Sequence, residues 1–197
     1  MHEEILNPSL LRKDAVFDDL YPEHIKDLSQ MHWTPVDIAK KASEFLGNPG
    51  ARVLDIGSGV GKFCIVAGFL NPETTFYGIE QRKELFAFAE TAKEVINLPS
   101  VHFINGNLTE LDFKDYDHFY FFNSFYENIE PGRRIDYTIK TSFQLYYYYS
   151  RLVFHMLEER SPGTRLVTFH GSEKQVPDSY RLVDNSYSRV LKMWIKE

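Results

Sequence analysis

Cysteine is almost missing from this chain of 197 residues: Cys64 stands alone. That excludes an intrachain disulfide framework and a Cys-rich zinc module, and no metal centre is expected. Long hydrophobic runs are missing as well. The longest, Phe63 to Leu70, falls far short of the ~20 residues a membrane helix needs. The first residues show no basic stretch leading into an apolar one, so no signal peptide is expected. Nor is there an excess of positive charge. Against 28 acidic side chains stand 22 basic ones, a net charge of −6, which argues against loose binding to nucleic acid or anionic lipid. Internal repeats, low-complexity tracts and a Pro/Gly/Ser-rich linker are also absent. What is present is 43% apolar and 15% aromatic residues, too rich for a disordered chain. One soluble, cytoplasmic domain is expected.

Residues 1–33 are charged and weakly periodic and read as a helical arm or lid, followed by one domain over 34–197. Thr34-Pro35 reads as a helix start, with Thr34 as the cap and proline at the first helical position. Val36, Ala39, Ala42, Phe45 and Leu46 follow at helical spacing, up to Gly47-Asn48-Pro49-Gly50. Strands are expected over 52–56, 75–79, 101–104, 117–122 and 165–170, with helices at 62–70, 82–97 and 137–160 between them. A final hairpin, 181–183 and 190–195, is expected to turn at Asp184-Asn185-Ser186. Strands alternating with helices imply a parallel sheet with helices on both faces. The class is therefore α/β: a three-layer α/β/α, Rossmann-like sheet of seven strands, mostly parallel, with an antiparallel terminal hairpin.

The sharpest feature is the first strand–turn–helix, Val53-Leu54-Asp55-Ile56-Gly57-Ser58-Gly59-Val60-Gly61. Alternate glycines allow a tight turn and close backbone approach to a ligand. The phosphate-binding Walker loop fails here, because Phe63 follows Gly61-Lys62 and Ile56 stands where that loop needs glycine. The spacing G-x-G-x-G, with an aspartate two residues ahead, also departs from the dinucleotide fingerprint G-x-G-x-x-G.

This segment closely resembles motif I of the class I S-adenosylmethionine-dependent methyltransferases, and the resemblance extends from about Thr34 to the C-terminus. It implies S-adenosyl-L-methionine as cofactor. Thr34, Asp55, Gly57, Ser58, Gly59 and Gly61 would then lie along it, and Glu80, at the end of the second strand, would take the ribose hydroxyls. Asn107 stands where the family usually has aspartate for the adenine amine. Its carbonyl can accept from that amine and its amide can donate to a ring nitrogen, while Leu108 packs on the ring. Phe121-Phe122-Asn123-Ser124-Phe125-Tyr126 lies where the family places residues beside the transferred methyl. It distantly resembles the Asn-Pro-Pro-Tyr motif of amino-methylating enzymes without its prolines, and histone-lysine methyltransferases that lack a SET domain. Asn123 and Tyr126 are thus the expected acceptor-side residues, and Asn123 would also touch the cofactor. His170 is the candidate base, and Trp33 either closes over the cofactor or anchors the arm.

The expected reaction is methyl transfer to an amine or hydroxyl of a small molecule or protein side chain. Nucleic acid is disfavoured by net charge, although Arg181, Arg189, Lys192 and Lys196 are locally basic. Two alternatives stay open: a cofactor-binding fold without catalysis, and an NAD-dependent oxidoreductase. Of the run Tyr146-Tyr147-Tyr148-Tyr149, helical geometry turns Tyr146 and Tyr149 to the core, with Ile139, Phe143, Val153 and Met156. It leaves Tyr147 and Tyr148 for a subunit or substrate surface, so a homo-oligomer is compatible with the sequence. Arg133-Arg134 are either solvated or a site for an acidic substrate.

Overall fold

The computed structural model describes residues 8–197. Met1 to Asn7, the start of the expected arm, lie outside the described residues. A 3-10 turn (Pro8–Leu11) and three short helices, α1 (Asp14–Asp18), α2 (Glu23–Lys26) and α3 (Ser29–His32), lead to α4 (Val36–Leu46). There follow β1 (Arg52–Ile56), α5 (Lys62–Leu70), β2 (Thr75–Glu80), α6 (Lys83–Ile96) and β3 (Val101–Asn105). The chain then forms β4 (His118–Phe121), α7 (Phe143–Glu158), β5 (Arg165–Phe169), β6 (Tyr180–Ser186) and β7 (Leu191–Lys196).

The seven strands lie in the order β3-β2-β1-β4-β5-β7-β6. The first five run parallel, and β7 is antiparallel to both β5 and β6. This is the expected Rossmann-like sheet with a reversed edge. Alternation along the strands sorts the core into two layers. Val53, Phe76, Tyr120 and Val167 face a cluster built from α4, α5, α6 and the arm. Leu54, Phe119, Phe121 and Leu166 face the other side, against Val153 and Leu157 of α7. The arm is part of the first layer, where Phe17 and Ile25 are buried and the Tyr21 hydroxyl donates to the Val60 carbonyl at 2.9 Å.

Three local expectations are corrected. Thr34 does not cap α4; the helix begins at Val36 after Pro35, and the Val36 N–H is taken by Asp14 Oδ1 of the arm at 2.8 Å. Thr34 is buried instead, its hydroxyl bonded to that of Tyr120 at 2.9 Å. The helix expected from 137 starts only at Phe143, capped by the Ser142 side chain. Asp136 Oδ1 accepts from both the backbone N–H and the hydroxyl of Thr138, a local bond that competes with helix, so Ile139 is not on the helix. The hairpin turns at Tyr187, Ser188 and Arg189, all with positive φ, whereas Asp184 to Ser186 remain in β6. Their backbone pairs with Met193, Lys192 and Leu191 of β7, so the ladder carries the chain past the polar run before it turns.

Candidate active site

In an open parallel sheet the ligand crevice forms beyond the carboxyl ends of the strands where their order reverses, here between β1 and β4. A cleft of about 1050 Å³, mouth included, opens at that point. The ends of β1, β2 and β4 form its floor, and His32, Trp33 and Thr34 close one side.

The glycine-rich loop leaves β1 with Gly57 and Ser58 N–H donating to the Ile79 carbonyl. Gly59 has φ +55, and a Cβ there would stand 2.6 Å from Trp33 Cζ3. The space beside this glycine is thus taken by the arm's tryptophan, so close ligand approach is not what requires glycine at this position. Trp33 itself is buried and donates from Nε1 to the Ile25 carbonyl, so it anchors the arm. Gly57 and Gly61 are likewise fitted to Ser124 and Phe103, and Gly61 lies behind the cleft lining. The Ser58 Oγ is buried in the cleft wall without a hydrogen-bond partner.

Glu80 ends β2 inside the cleft. Its Oε2 accepts the Gly59 N–H at 3.0 Å and its Oε1 the Arg82 N–H at 2.7 Å. The carboxylate therefore fixes the loop and still has free lone pairs for a ligand. Burial raises its pKa above the ordinary carboxylate value, opposed by the two backbone N–H bonds and the Arg82 charge. Asp55 is buried more completely: desolvation lifts its pKa to about 8, with a contact from the Cys64 thiol pulling it down and the Glu80 charge pushing it up. Burial thus favours the protonated form of Asp55, which can donate a hydrogen bond.

At the opposite lip, Asn107 and Leu108 line the cleft with Gln81 and Tyr149. The Asn107 amide donates to the Tyr149 hydroxyl at 2.8 Å and to Gln81 Oε1 at 3.3 Å, and its Oδ1 accepts the Thr109 N–H. Both amide hydrogens are thus engaged, so the expected donation to a ring nitrogen is unavailable in this arrangement. The carbonyl's second lone pair remains.

After β4, the cleft is lined by Phe122, Ser124, Phe125, Glu127 and Asn128. Asn123 sits between them at φ 37, outside the lining, as do the exposed Tyr126 and His170. The sheet thus gathers Thr34, Asp55, Gly57, Ser58, Gly59, Glu80, Asn107 and Leu108 into one cleft and leaves the three expected catalytic residues at or beyond its edge. The His170 ring packs against Phe169 and Phe122, and burial followed by the Arg133 charge lowers its pKa.

Sequence reasoning missed two buried ion clusters. Arg82 makes a bidentate pair with Glu127, at 3.1 and 2.7 Å, and a third bond to Asp136 at 3.1 Å. It thereby fastens the loop after β4 to the end of β2. Lys62, buried in the first turn of α5, is held at 2.7 Å by both Asp14 and Asp18 of the arm. The available signal was a cation at each site, just after the strand-two acid and just after the last loop glycine, where a ligand-facing end leaves little water for a free charge.

The topology is the Rossmann-like fold seen in class I methyltransferases. Residues 47–131 match a family model described as a methyltransferase domain. Among solved structures, the chain is similar to an RNA methyltransferase from Salinibacter ruber in complex with S-adenosyl-L-homocysteine. That match has 24% identity and a TM-score of 0.57, and covers 83% of this chain and 92% of that one. A SAM-dependent methyltransferase from Aquifex aeolicus matches at 17% identity and TM-score 0.54, covering 89% and 97%. TrmN from Thermus thermophilus matches at 15% and 0.58, covering 87% of this chain and 51% of that one. At these identities the likeness is one of fold. No curated protein matches.

Proposed function

We propose that the protein is an S-adenosylmethionine-dependent methyltransferase, with the cofactor lying along the ends of β1 and β2 and the acceptor entering beside β4. Glu80 is the observation that carries this reading. It is a buried carboxylate, already oriented by two backbone N–H groups, with lone pairs left for a vicinal diol. Two further features fit such a molecule: the orphaned Ser58 Oγ and the buried Asp55 carboxyl on the same wall. Leu108 and the Asn107 carbonyl face the place for a purine, and Thr34, Asp55 and Ser58 the amino-acid end.

When bound, the cofactor supplies a methyl group on a sulfonium, already activated for displacement. What remains for the chain is to align the acceptor and to exclude water. Phe122 and Phe125 wall the acceptor side, and Ser124 is fixed there by donating to the Ile56 carbonyl. Arg82 holds this segment against the nucleoside side through Glu127. Asn123, Tyr126 and His170 then act at the mouth, where a His170 imidazole with a lowered pKa is neutral and free to accept a proton from an amine or hydroxyl.

Calorimetry with S-adenosylhomocysteine tests the reading. Binding to the wild type, weakened in Glu80→Ala by ~1–3 kcal/mol for the lost charged acceptor, is expected. Unchanged affinity in that variant would remove the ribose assignment. One observation favours a second reading, a binding protein without turnover: none of the three catalytic candidates lines the cleft. Cofactor binding with no methyl transfer to any acceptor presented would select it.

A further inference from the structure

Three of the four cations picked out in the sequence near the C-terminus are spent within the fold: Arg181 pairs with Glu197, Lys192 with Glu173 and Lys196 with Glu158. The opposite holds between β4 and the end of α7. Arg133, Arg134, Lys140 and Arg151 make no salt bridge among the described residues, and two of the carboxylates near them in sequence, Glu127 and Asp136, are both taken by Arg82. Only Glu130 remains there to offset four cations.

The same region carries the most exposed aromatic surface of the described residues. Tyr137 is 87% exposed, Phe143 57%, Tyr147 53% and Tyr148 54%. On α7, Phe143, Tyr147, Arg151 and His155 fall at steps of four and form one outward stripe. Tyr147, Tyr148, Arg151, Leu152 and His155 line a shallow groove. The Tyr148 ring lies 5.4 Å from that of Tyr149, which lines the cleft, and Arg133 lines the cleft as well. The surface is therefore continuous with the cleft.

Exposed rings interleaved with unpaired cations suit a ligand that is both anionic and planar. A second copy of this chain meeting the face by a twofold axis would set these cations against themselves. An acidic peptide would satisfy the charges but has no use for a row of open rings. We propose that α7 and the loop before it form a platform for single-stranded nucleic acid, its bases stacking on Tyr147 and Tyr148 and its phosphates on Arg133 and Arg151. The −6 net charge of the chain does not oppose this, because Glu127 and Asp136 are already paired with Arg82 and only Glu130 is left against four cations.

This names a substrate class for the function proposed above, and the binding itself does not depend on the cofactor reading. The test is fluorescence anisotropy of the full chain with a labelled single-stranded oligouridylate across a salt titration. The expected result is binding that weakens by about 5- to 150-fold for each ring removed in Tyr147→Ala/Tyr148→Ala. In Arg151→Ala the log–log salt slope should fall by about 0.7. Both sites are exposed, and an unchanged melting curve establishes that each variant is folded. An oligonucleotide affinity indifferent to the tyrosine pair overturns the proposal. So does equal competition by polyglutamate, equal binding of duplex, or a dimer by light scattering that the tyrosine variant dissolves. Calorimetry with S-adenosylhomocysteine on the same samples separates failure of the cleft reading from failure of this one.

Discussion

Replacing Asp55 by asparagine should change how stability depends on pH. The side chain is buried at the end of β1, and desolvation lifts its pKa from 3.8 to about 8. Over that window the folded protein keeps a proton that the unfolded chain has released, so raising the pH favours unfolding. The contribution is complete below about pH 4 and gone above about pH 8, with a slope of about 1.4 kcal/mol per pH unit between. From about pH 5 to pH 8 the wild type should therefore lose about 4 kcal/mol relative to Asp55→Asn, which has no proton to hold. A constant offset from the amide does not matter, since only the change in the difference is read. Urea denaturation of both proteins across this range supplies the measurement. Parallel stability curves would mean that Asp55 is already ionised near pH 5 and that burial does not govern it.

Glu127→Ala removes the bidentate partner of Arg82. It should cost about 3 kcal/mol of unfolding free energy, the lower end for a broken buried pair, because Asp136 stays as a partner. Denaturant titration measures it, and a cost below 1 kcal/mol would mean that the pair behaves as a solvent-screened one. Gly59→Ala combines φ +55 with a contact 2.6 Å from the Trp33 ring. It should destabilise by about 1–3 kcal/mol, and adding Trp33→Ala should recover part of that loss; strictly additive effects would show that ring and glycine do not press on each other. Lys62→Met leaves Asp14 and Asp18 without their cation. Limited proteolysis should then cut between residues 14 and 33 before the rest of the chain, whereas an unaltered digestion pattern would show that the arm does not depend on this lysine.

The sheet was legible because its strands carry apolar residues on both faces and its helices repeat at their own period, so Val53 to Glu80 could be placed almost residue by residue. Elements set by a single side-chain bond were not legible. Nothing in the local pattern says that Asp14 rather than Thr34 meets the first free N–H of α4, or that Asp136 delays α7 to Phe143. At the site, short-range spacing pointed to Glu80 and the glycine loop. Arg82 with Glu127, and Lys62 with Asp18, join residues 45 and 44 positions apart, a range at which one sequence holds no pairing signal. The glycines were read as room for a ligand. The structure assigns that room to Trp33, Ser124 and Phe103, a packing reason that composition cannot distinguish from the first.

The interlocking of the first helices with the glycine loop bears on how the molecule can be assembled. Residues 14–33 leave the ribosome before the glycine loop does, yet Tyr21, Asp18 and Trp33 find their partners only at Val60, Lys62 and Gly59. The opening helices must therefore wait for the first β-α unit before they settle. A fragment beginning at Thr34 would lay bare an apolar flank and strand an ammonium group beneath it.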